Sequence, residues 1–208
     1  VFARMILDDP SLEGVAAVIF DEFHERSIHA DLALALCREA QQILRPDLRI
    51  LVMSATLDTD ELPDLLEAQV VRSEGRAYPV EIVHSHDADS RMLPEFVARQ
   101  AIWCLREHKG DLLAFLPGEA EIRKCQSLLE DAGANAIIHP LFGQLPPNQQ
   151  KAAILPDRAG RRKIVLASSI AETSLTIEGV NTVIDSGYTR KQVFDPASGL
   201  SRLLTVQV

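Results

Sequence analysis

Two adjacent carboxylates, Asp21 and Glu22, stand directly after a short apolar run of β-branched character, Val15 to Phe20. Such a run is typical of a fully buried parallel strand. At the end of that strand, one carboxylate can hold Mg²⁺ while its neighbour orients or deprotonates the water that attacks a phosphate. The pair therefore indicates nucleotide hydrolysis, although two solvated acids at a strand end would give the same letters.

Small hydroxyl residues follow two further apolar runs. Ser54-Ala55-Thr56 comes after the run 50–53, and the stretch AETSLTIEG (residues 171–179) lies shortly after the run 164–167. Hydroxyl groups on small side chains can approach phosphates closely and donate hydrogen bonds to them. Three segments of the chain thus carry residue types suited to phosphate chemistry, with helix capping by Thr56 or Asp58 as the structural alternative.

The elements that must position these residues alternate between strands and helices. Before residue 75 the pattern predicts strands at 15–20, 50–53 and from 70, and helices at 28–44 and 60–67. After it come strands at 80–83, 112–116, 136–139, 164–167 and 180–185, helices at 94–108, 119–132 and after Pro146, and an antiparallel hairpin within 190–208. This order predicts an α/β fold with two parallel-sheet units, residues 1–75 and 76–208.

Composition and charge narrow the class of protein. The 208 residues are 47% hydrophobic and 25% charged, and no apolar run is long enough for a membrane span. Three widely spaced cysteines, with no second cysteine or histidine at ligand distance, indicate a reduced, cytoplasmic chain without a metal at its cysteines. No basic, apolar, small-residue opening of a secretory signal is present in the sequence. The net charge of −9 argues at first against nucleic acid, but residues 1–75 hold 6 basic and 15 acidic residues, whereas the remainder holds 15 of each. The adjacent Arg161, Arg162 and Lys163 are a minor candidate for steering phosphates.

Five segments in this order resemble the superfamily 2 helicases of the DEAH/RHA group, most closely the bacterial HrpB-type branch, which carries phenylalanine third in motif II. DEFHERS (21–27) is similar to motif II, SAT (54–56) to motif III, and AFLPGEAEI (114–122) to motif IV. LFGQLPPNQQ (141–150) resembles the nucleic-acid segment that follows, and LASSIAETSLTIEGVNTVIDSGYTR (166–190) resembles motif V. The resemblance implies two RecA-like lobes, the first truncated on its N-terminal side, with a C-terminal β-hairpin that guides or splits the nucleic acid.

The resemblance also implies a nucleotide site for ATP and Mg²⁺. Asp21 would bind Mg²⁺ through water, and Glu22 would be the catalytic base. His24, Ser54 and Thr56 would link hydrolysis to movement of the nucleic acid. From the second lobe, the nucleotide would meet three further residues: Ser174, near the γ-phosphate, and Thr176 and Glu178, near the sugar. The family usually has aspartate where Glu178 stands.

For RNA, the resemblance implies main-chain and hydroxyl contacts to phosphates. The expected residues are Gly118, Gly143, Gln144, Ser168 and Thr173. Gly118 could instead be a helix-start glycine and Gly143 a turn glycine. Gln144 stands where many relatives have serine, and Ser168-Ser169 replaces threonine-asparagine.

Together these features predict an ATP-dependent RNA helicase acting on single strands or duplexes with an overhang, with other nucleic acids left open. The phosphate-binding loop Gly-x-x-x-x-Gly-Lys-Ser/Thr does not occur in the sequence, and neither does the arginine-rich motif VI. We therefore expect the 208 residues alone to be inactive. The alternatives are an RNA-stimulated NTPase that remodels ribonucleoproteins without processive unwinding, and a non-catalytic RNA-binding scaffold.

Overall fold

The computed structural model describes residues 2–55, 61–73, 75, 78–85, 92–171, 176–196 and 198–208, and only the backbone of Glu61 and Ile170. They form two compact units, Val1–Glu81 and Ile82–Val208. The division falls a few residues beyond the boundary that the sequence predicts after residue 75. Each unit is an α/β structure with parallel strands, so the predicted fold class is confirmed.

The first unit is built on two parallel strands. Its elements are α1 (Phe2–Asp8), β1 (Ala17–Phe20), α2 (Ile28–Ile43), β2 (Arg49–Val52) and α3 (Glu61–Leu66). Ser27 caps α2, because its hydroxyl accepts the N–H of Ala30 at 3.1 Å. One apolar core joins α1, α2 and the strands, and its buried members are Ile6, Leu12, Val18, Cys37, Ala40 and Leu48.

Two predicted strands of this region are wrong. Residues 70–73 and 78–83 lie in neither helix nor strand, and Val71 and Val80 are 91% and 80% exposed. An apolar run becomes a strand only where a neighbouring strand satisfies its N–H and C=O groups. Within the described residues of this unit, β1 and β2 pair only with each other. The sequence does not predict α1, because its seven residues are too few for a clear periodic pattern.

The second unit contains a four-stranded parallel sheet in the order β4-β5-β3-β6. Its elements are α4 (Leu93–Glu107), β3 (Asp111–Phe115), α5 (Glu119–Asp131), β4 (Ile137–Leu141), α6 (Pro147–Ile154), β5 (Lys163–Ala167) and β6 (Val180–Asp185). The sequence predicts all of these elements. For those predicted with both a first and a last residue, each bound agrees with the structure to within three residues.

The inner strands β3 and β5 are buried on both faces, as is typical of parallel strands, whereas alternate residues of the edge strand β6 are exposed. Leu112 and Ala114 of β3 pack with α4 and α5, whereas Leu113 points to the other face, where Ala153 of α6 lies. The cysteines of both units are unpaired and buried, and burial raises the pKa of each thiol, that of Cys125 to about 12. None of the described helices is long and apolar enough to cross a bilayer.

A C-terminal hairpin follows the sheet, as predicted. Strands β7 (Tyr188–Asp195) and β8 (Leu200–Gln207) pair antiparallel, with Asp195 opposite Leu200 at the turn. Its outer part exposes several apolar side chains, namely Val193, Phe194, Leu200, Leu203 and Leu204.

Lys163, at the amino end of β5, is completely buried. Its ammonium donates to the carbonyl oxygens of Ala153, Ile154 and Leu155 at 3.0–3.1 Å, and these are the last carbonyls of α6 and the residue after it. Burial lowers the pKa of the Lys163 ammonium, and nearby carboxylates, chiefly that of Asp111, oppose the shift only in part. Lys163 therefore closes the C-terminal end of α6.

The hypothesis that Arg161, Arg162 and Lys163 steer phosphates is wrong for two of the three. Lys163 is used inside the fold, and Arg162 donates to the carbonyl oxygens of Gly110 and Leu105 at 2.8 and 2.7 Å. Arg161 is paired with Asp157 at 3.1 Å. A short basic run before a strand can thus satisfy buried carbonyls instead of facing a ligand.

Replacing Lys163 by methionine should loosen the end of α6. Methionine keeps the apolar stem but leaves three carbonyls without their donor, so we expect amide exchange in residues 147–155 to become about 10- to 100-fold faster. Hydrogen–deuterium exchange of this segment measures the effect. Lys151→Met, at an exposed position of the same helix, is the control, and equal acceleration by both variants would contradict the assignment.

Candidate functional site

The residues of the first unit that are predicted to take part in nucleotide hydrolysis follow the carboxyl ends of β1 and β2. Phe20 is opposite Val52, the N–H of Met53 donates to Phe20 O at 2.8 Å, and the N–H of Phe23 donates to Met53 O at 3.0 Å. These bonds place Asp21 and Glu22 beside Ser54 and Ala55. Thr56 lies outside the described residues.

Glu22 adopts a left-handed backbone conformation, with φ 50° and ψ 38°. Its N–H donates to Oδ1 of Asp21 at 2.8 Å. A non-glycine residue in this region costs about 1 kcal/mol. The residue that follows holds the turn: Phe23 is buried, and its ring packs edge-on against that of Phe20 with the centroids 6.2 Å apart.

His24 contacts both strand ends. Its Nδ1 accepts the N–H of Ala55 at 3.3 Å and lies 3.5 Å from Oε2 of Glu22. The two contacts require different protonation states, because accepting the amide proton needs a lone pair on Nδ1, whereas donating to Glu22 needs a proton there. The geometry thus joins the acidic segment to the Ser54-Ala55 segment through one imidazole.

The carboxylate of Asp21 has an oxygen atom that suits a Mg²⁺ site. The side chain is exposed, and Oδ1 accepts the Glu22 N–H, while Oδ2 receives no hydrogen bond from the described part of the chain. Carboxylate oxygen is a preferred ligand of Mg²⁺, which typically takes one or two protein carboxylates and completes its shell with water and phosphate. Oδ2 of Asp21 is therefore available to hold the ion through one of its water molecules.

In the second unit, three predicted nucleic-acid residues share one sheet edge. Gly118, Gly143 and Ser168 follow β3, β4 and β5, and the carboxyl ends of parallel strands meet at the same edge. The connecting bonds are Leu116 N–H to Ala167 O at 2.8 Å and Ser168 N–H to Leu141 O at 3.1 Å. The main-chain donor of Ser168 is occupied by the second bond, so its hydroxyl is the donor left for a ligand.

Gly118 is buried at the start of α5, with Arg190 lying over it. A Cβ at this position would lie 3.0 Å from the guanidinium of Arg190, which also approaches Glu121 at 3.5 Å. A side chain at residue 118 would therefore require the guanidinium of Arg190 to shift by a few tenths of an ångström. Arg190 is the last residue of the predicted motif V segment and the first of the predicted hairpin, and the sequence predicts no role of its own for it.

Gly143 and Gln144 form the exposed tip of a turn between two buried residues, Phe142 and Leu145. The N–H of Leu145 donates to Phe142 O at 3.1 Å and closes the turn. Gln150 of α6 contacts the same turn. It belongs to the predicted nucleic-acid segment 141–150, but the sequence predicts no role for it.

Two of the predicted nucleotide residues of the second unit, Thr176 and Glu178, lie elsewhere. Glu178 stands just before β6, at the amino end of the sheet, next to Gly179, which has φ +88° and accepts the N–H of Asp111 at 2.9 Å. Thr176 precedes it on the same segment. Ser174 and Thr173 lie outside the described residues. The structure therefore separates Glu178 from the edge that carries Gly143 and Ser168.

Comparison with known proteins identifies relatives of the whole chain. Residues 92–200 match the family model described as the helicase conserved C-terminal domain. The ATP-dependent RNA helicase HrpB of Escherichia coli K12 is 50% identical over 210 residues, covering 100% of this chain and 26% of that protein. Among solved structures, the E. coli DEAH/RHA helicase HrpB has a TM-score of 0.84 and the E. coli DExH-box NTPase HrpB one of 0.78. Both are 49% identical to this chain, and each match covers 100% of it. The matches cover 27% and 26% of the two solved chains, respectively. The chain spans about a quarter of the length of these relatives.

Proposed function

Because the chain belongs to the family of the helicase conserved C-terminal domain, whose model matches residues 92–200, we propose that it is part of an ATP-dependent RNA helicase of the DEAH/RHA group. The observation that carries the proposal is the junction of two strand ends, where His24 accepts the N–H of Ala55 beside the Asp21-Glu22 pair. Such a junction provides a route from the hydrolytic carboxylates to the segment that follows β2.

In this proposal ATP is bound with Mg²⁺, which neutralises charge on the phosphates when present. Asp21 holds the ion through a water molecule. Glu22 orients the attacking water and accepts its proton, and the left-handed backbone at Glu22 sets where that carboxylate points. Ser174, Thr176 and Glu178 are proposed as further nucleotide contacts.

His24 is the coupling residue. With Nδ1 unprotonated it holds Ala55, and with a proton on Nδ1 it can pair with Glu22 instead. A change in the position or charge of Glu22 during hydrolysis is therefore transmitted to the Ser54-Ala55-Thr56 segment. Thr56 and Ser54 pass it on through their hydroxyl groups.

The proposed nucleic acid is RNA, as a single strand or as a duplex with an overhang. Gly118, Gly143, Gln144, Ser168 and Thr173 contact its phosphates. Main-chain and hydroxyl donors suit a motor that moves along RNA of any sequence, because phosphate contacts carry no base information. We also propose a bacterial, cytoplasmic setting, which the E. coli relative and three buried thiols support.

A second candidate is an RNA-stimulated NTPase that remodels ribonucleoproteins without processive unwinding. One of the similar solved structures is described as a DExH-box NTPase, which favours keeping this candidate. A strand-displacement assay on a duplex with an overhang separates the two, because only a helicase releases the labelled strand at a rate that depends on ATP. A non-catalytic scaffold is disfavoured by the presence of Asp21, Glu22 and His24.

Glu22→Gln should abolish turnover in the full-length protein. The amide cannot accept a proton from water, so we expect the rate of ATP hydrolysis to fall at least about 100-fold while ATP binding persists. Phosphate release and nucleotide-binding titrations measure the two quantities. Glu25→Gln, three residues away and exposed, should stay near the wild-type rate, and unchanged turnover in Glu22→Gln would refute the role.

His24→Ala should uncouple hydrolysis from strand displacement. It removes the acceptor of the Ala55 N–H, so we expect displacement to fall about tenfold more than ATP hydrolysis does. His24→Gln, whose amide oxygen can still accept that N–H, should restore part of the coupling. An equal fall of both activities in His24→Ala would count against a coupling role.

A further inference from the structure

The turn at Phe142–Leu145 presents main-chain N–H groups to solvent. Phe142 and Leu145 are 6% and 5% exposed, whereas Gly143 and Gln144 between them are exposed. The hydrogen bond that closes the turn uses only the N–H of Leu145. Within the part of the chain that the structure describes, neither Gly143 nor Gln144 donates its N–H to a backbone carbonyl.

The side chain of Gln150 fixes how this turn is oriented. Its Nε2 donates to Leu145 O at 2.8 Å and lies within a long hydrogen-bonding distance, 3.5 Å, of Gly143 O. Gln150 itself is held in the first turn of α6, because its N–H donates to Pro146 O at 3.1 Å. Two carbonyls of the turn are therefore directed at one amide group of the helix.

The orientation of one carbonyl determines that of the next N–H. In a trans peptide the C=O of one residue and the N–H of the following residue point in opposite directions. Since Gly143 C=O faces Gln150, the N–H of Gln144 points away from α6. The exposed tip of the turn thus carries a donor directed outward.

The surroundings of the turn favour an anion. The guanidinium of Arg123 lies 5.1 Å from the centroid of the Phe142 ring, its side chain is half exposed, and its Nε is 3.6 Å from a carboxylate oxygen of Glu119. Ser168, whose hydroxyl remains available, is bonded through its N–H to Leu141, the residue before Phe142. Successive main-chain donors beside a cation and a hydroxyl are a typical setting for a phosphate group.

We propose that the main-chain N–H of Gln144 donates to an RNA phosphate and that Gln150 is the positioning residue that orients it. The inference rests on the proposed RNA-binding function and specifies how residue 144 takes part. The donor belongs to the main chain, so the side chain at this position is unconstrained.

The test measures RNA affinity of the full-length protein by fluorescence anisotropy with labelled single-stranded oligo(U) and oligo(A). Gln144→Ala keeps the N–H and should bind within about twofold of wild type. Gln144→Pro removes the N–H, and Gln150→Glu replaces the donor with a carboxylate that repels both carbonyls. Both should bind about tenfold more weakly on either oligonucleotide, the order expected for one charge-assisted hydrogen bond.

Gln149→Glu is the matched control, since it introduces the same charge one residue away at an exposed position. It should bind within about twofold of wild type. RNA-stimulated ATP hydrolysis provides a second readout: in Gln150→Glu the RNA concentration for half-maximal stimulation should rise while the rate at saturating RNA is kept. A general structural defect would lower the saturated rate as well.

Three results would overturn the inference. Weaker RNA binding by Gln144→Ala would assign the contact to the side chain of residue 144. Equally weak binding by Gln149→Glu and Gln150→Glu would show that the introduced negative charge alone lowers the affinity. Wild-type affinity in both Gln150→Glu and Gln144→Pro would show that the main-chain N–H of Gln144 does not contribute to RNA binding. If the wild-type protein bound no RNA, the proposed function itself would fail with it, so the two failures are distinguishable.

Discussion

Parallel pairing of neighbouring strands is the constraint on which both candidate sites depend. Residues that are distant in the chain become neighbours only because parallel strands end at the same edge of a sheet. In the first unit, the pairing of Phe20 with Val52 brings the segment that contains Glu22 and His24 next to Ala55. In the second unit the same rule aligns Gly118, Gly143 and Ser168. A one-residue slip in either sheet would turn buried side chains outward and separate these groups.

The hydrogen bonds that stabilise each edge also decide which groups remain for a ligand. At the end of β5, the N–H of Ser168 is consumed by Leu141 O, which leaves a hydroxyl. At the end of β4, one glutamine amide satisfies carbonyls of the turn, which leaves N–H groups. At the end of β1, the N–H of Glu22 is satisfied by Asp21 Oδ1, which leaves the second carboxylate oxygen. Because buried polar groups must be paired, folding itself selects the donors and acceptors that face outward.

Much of this arrangement could be predicted from the sequence, because buried parallel strands appear as continuous apolar runs and motif residues follow them. What could not be predicted depends on contacts between distant segments. The apolar run at Val80 looks like a strand, but no described strand is paired with it. The run Arg161 to Lys163 looks like a phosphate-steering patch, but only the fold shows that Lys163 faces three carbonyls of α6. The left-handed backbone of Glu22 likewise depends on the packing of Phe23, which a glutamate in isolation does not reveal.

The distribution of charge is compatible with the proposal that an acidic chain binds a polyanion. The acidic excess lies entirely in residues 1–75, and several cations of the remainder are used internally or paired with carboxylates. Donors on the edge of the second sheet are instead main-chain N–H and hydroxyl groups, which carry no net charge. A contact made by such a group brings no positive charge to the phosphate and displaces few of the cations condensed on the nucleic acid, so its strength depends on geometry more than on salt. For the proposed helicase, which would release and rebind phosphates as it moves, weak directional contacts of this kind would allow exchange of one phosphate for the next, whereas a strongly basic surface would retain the strand.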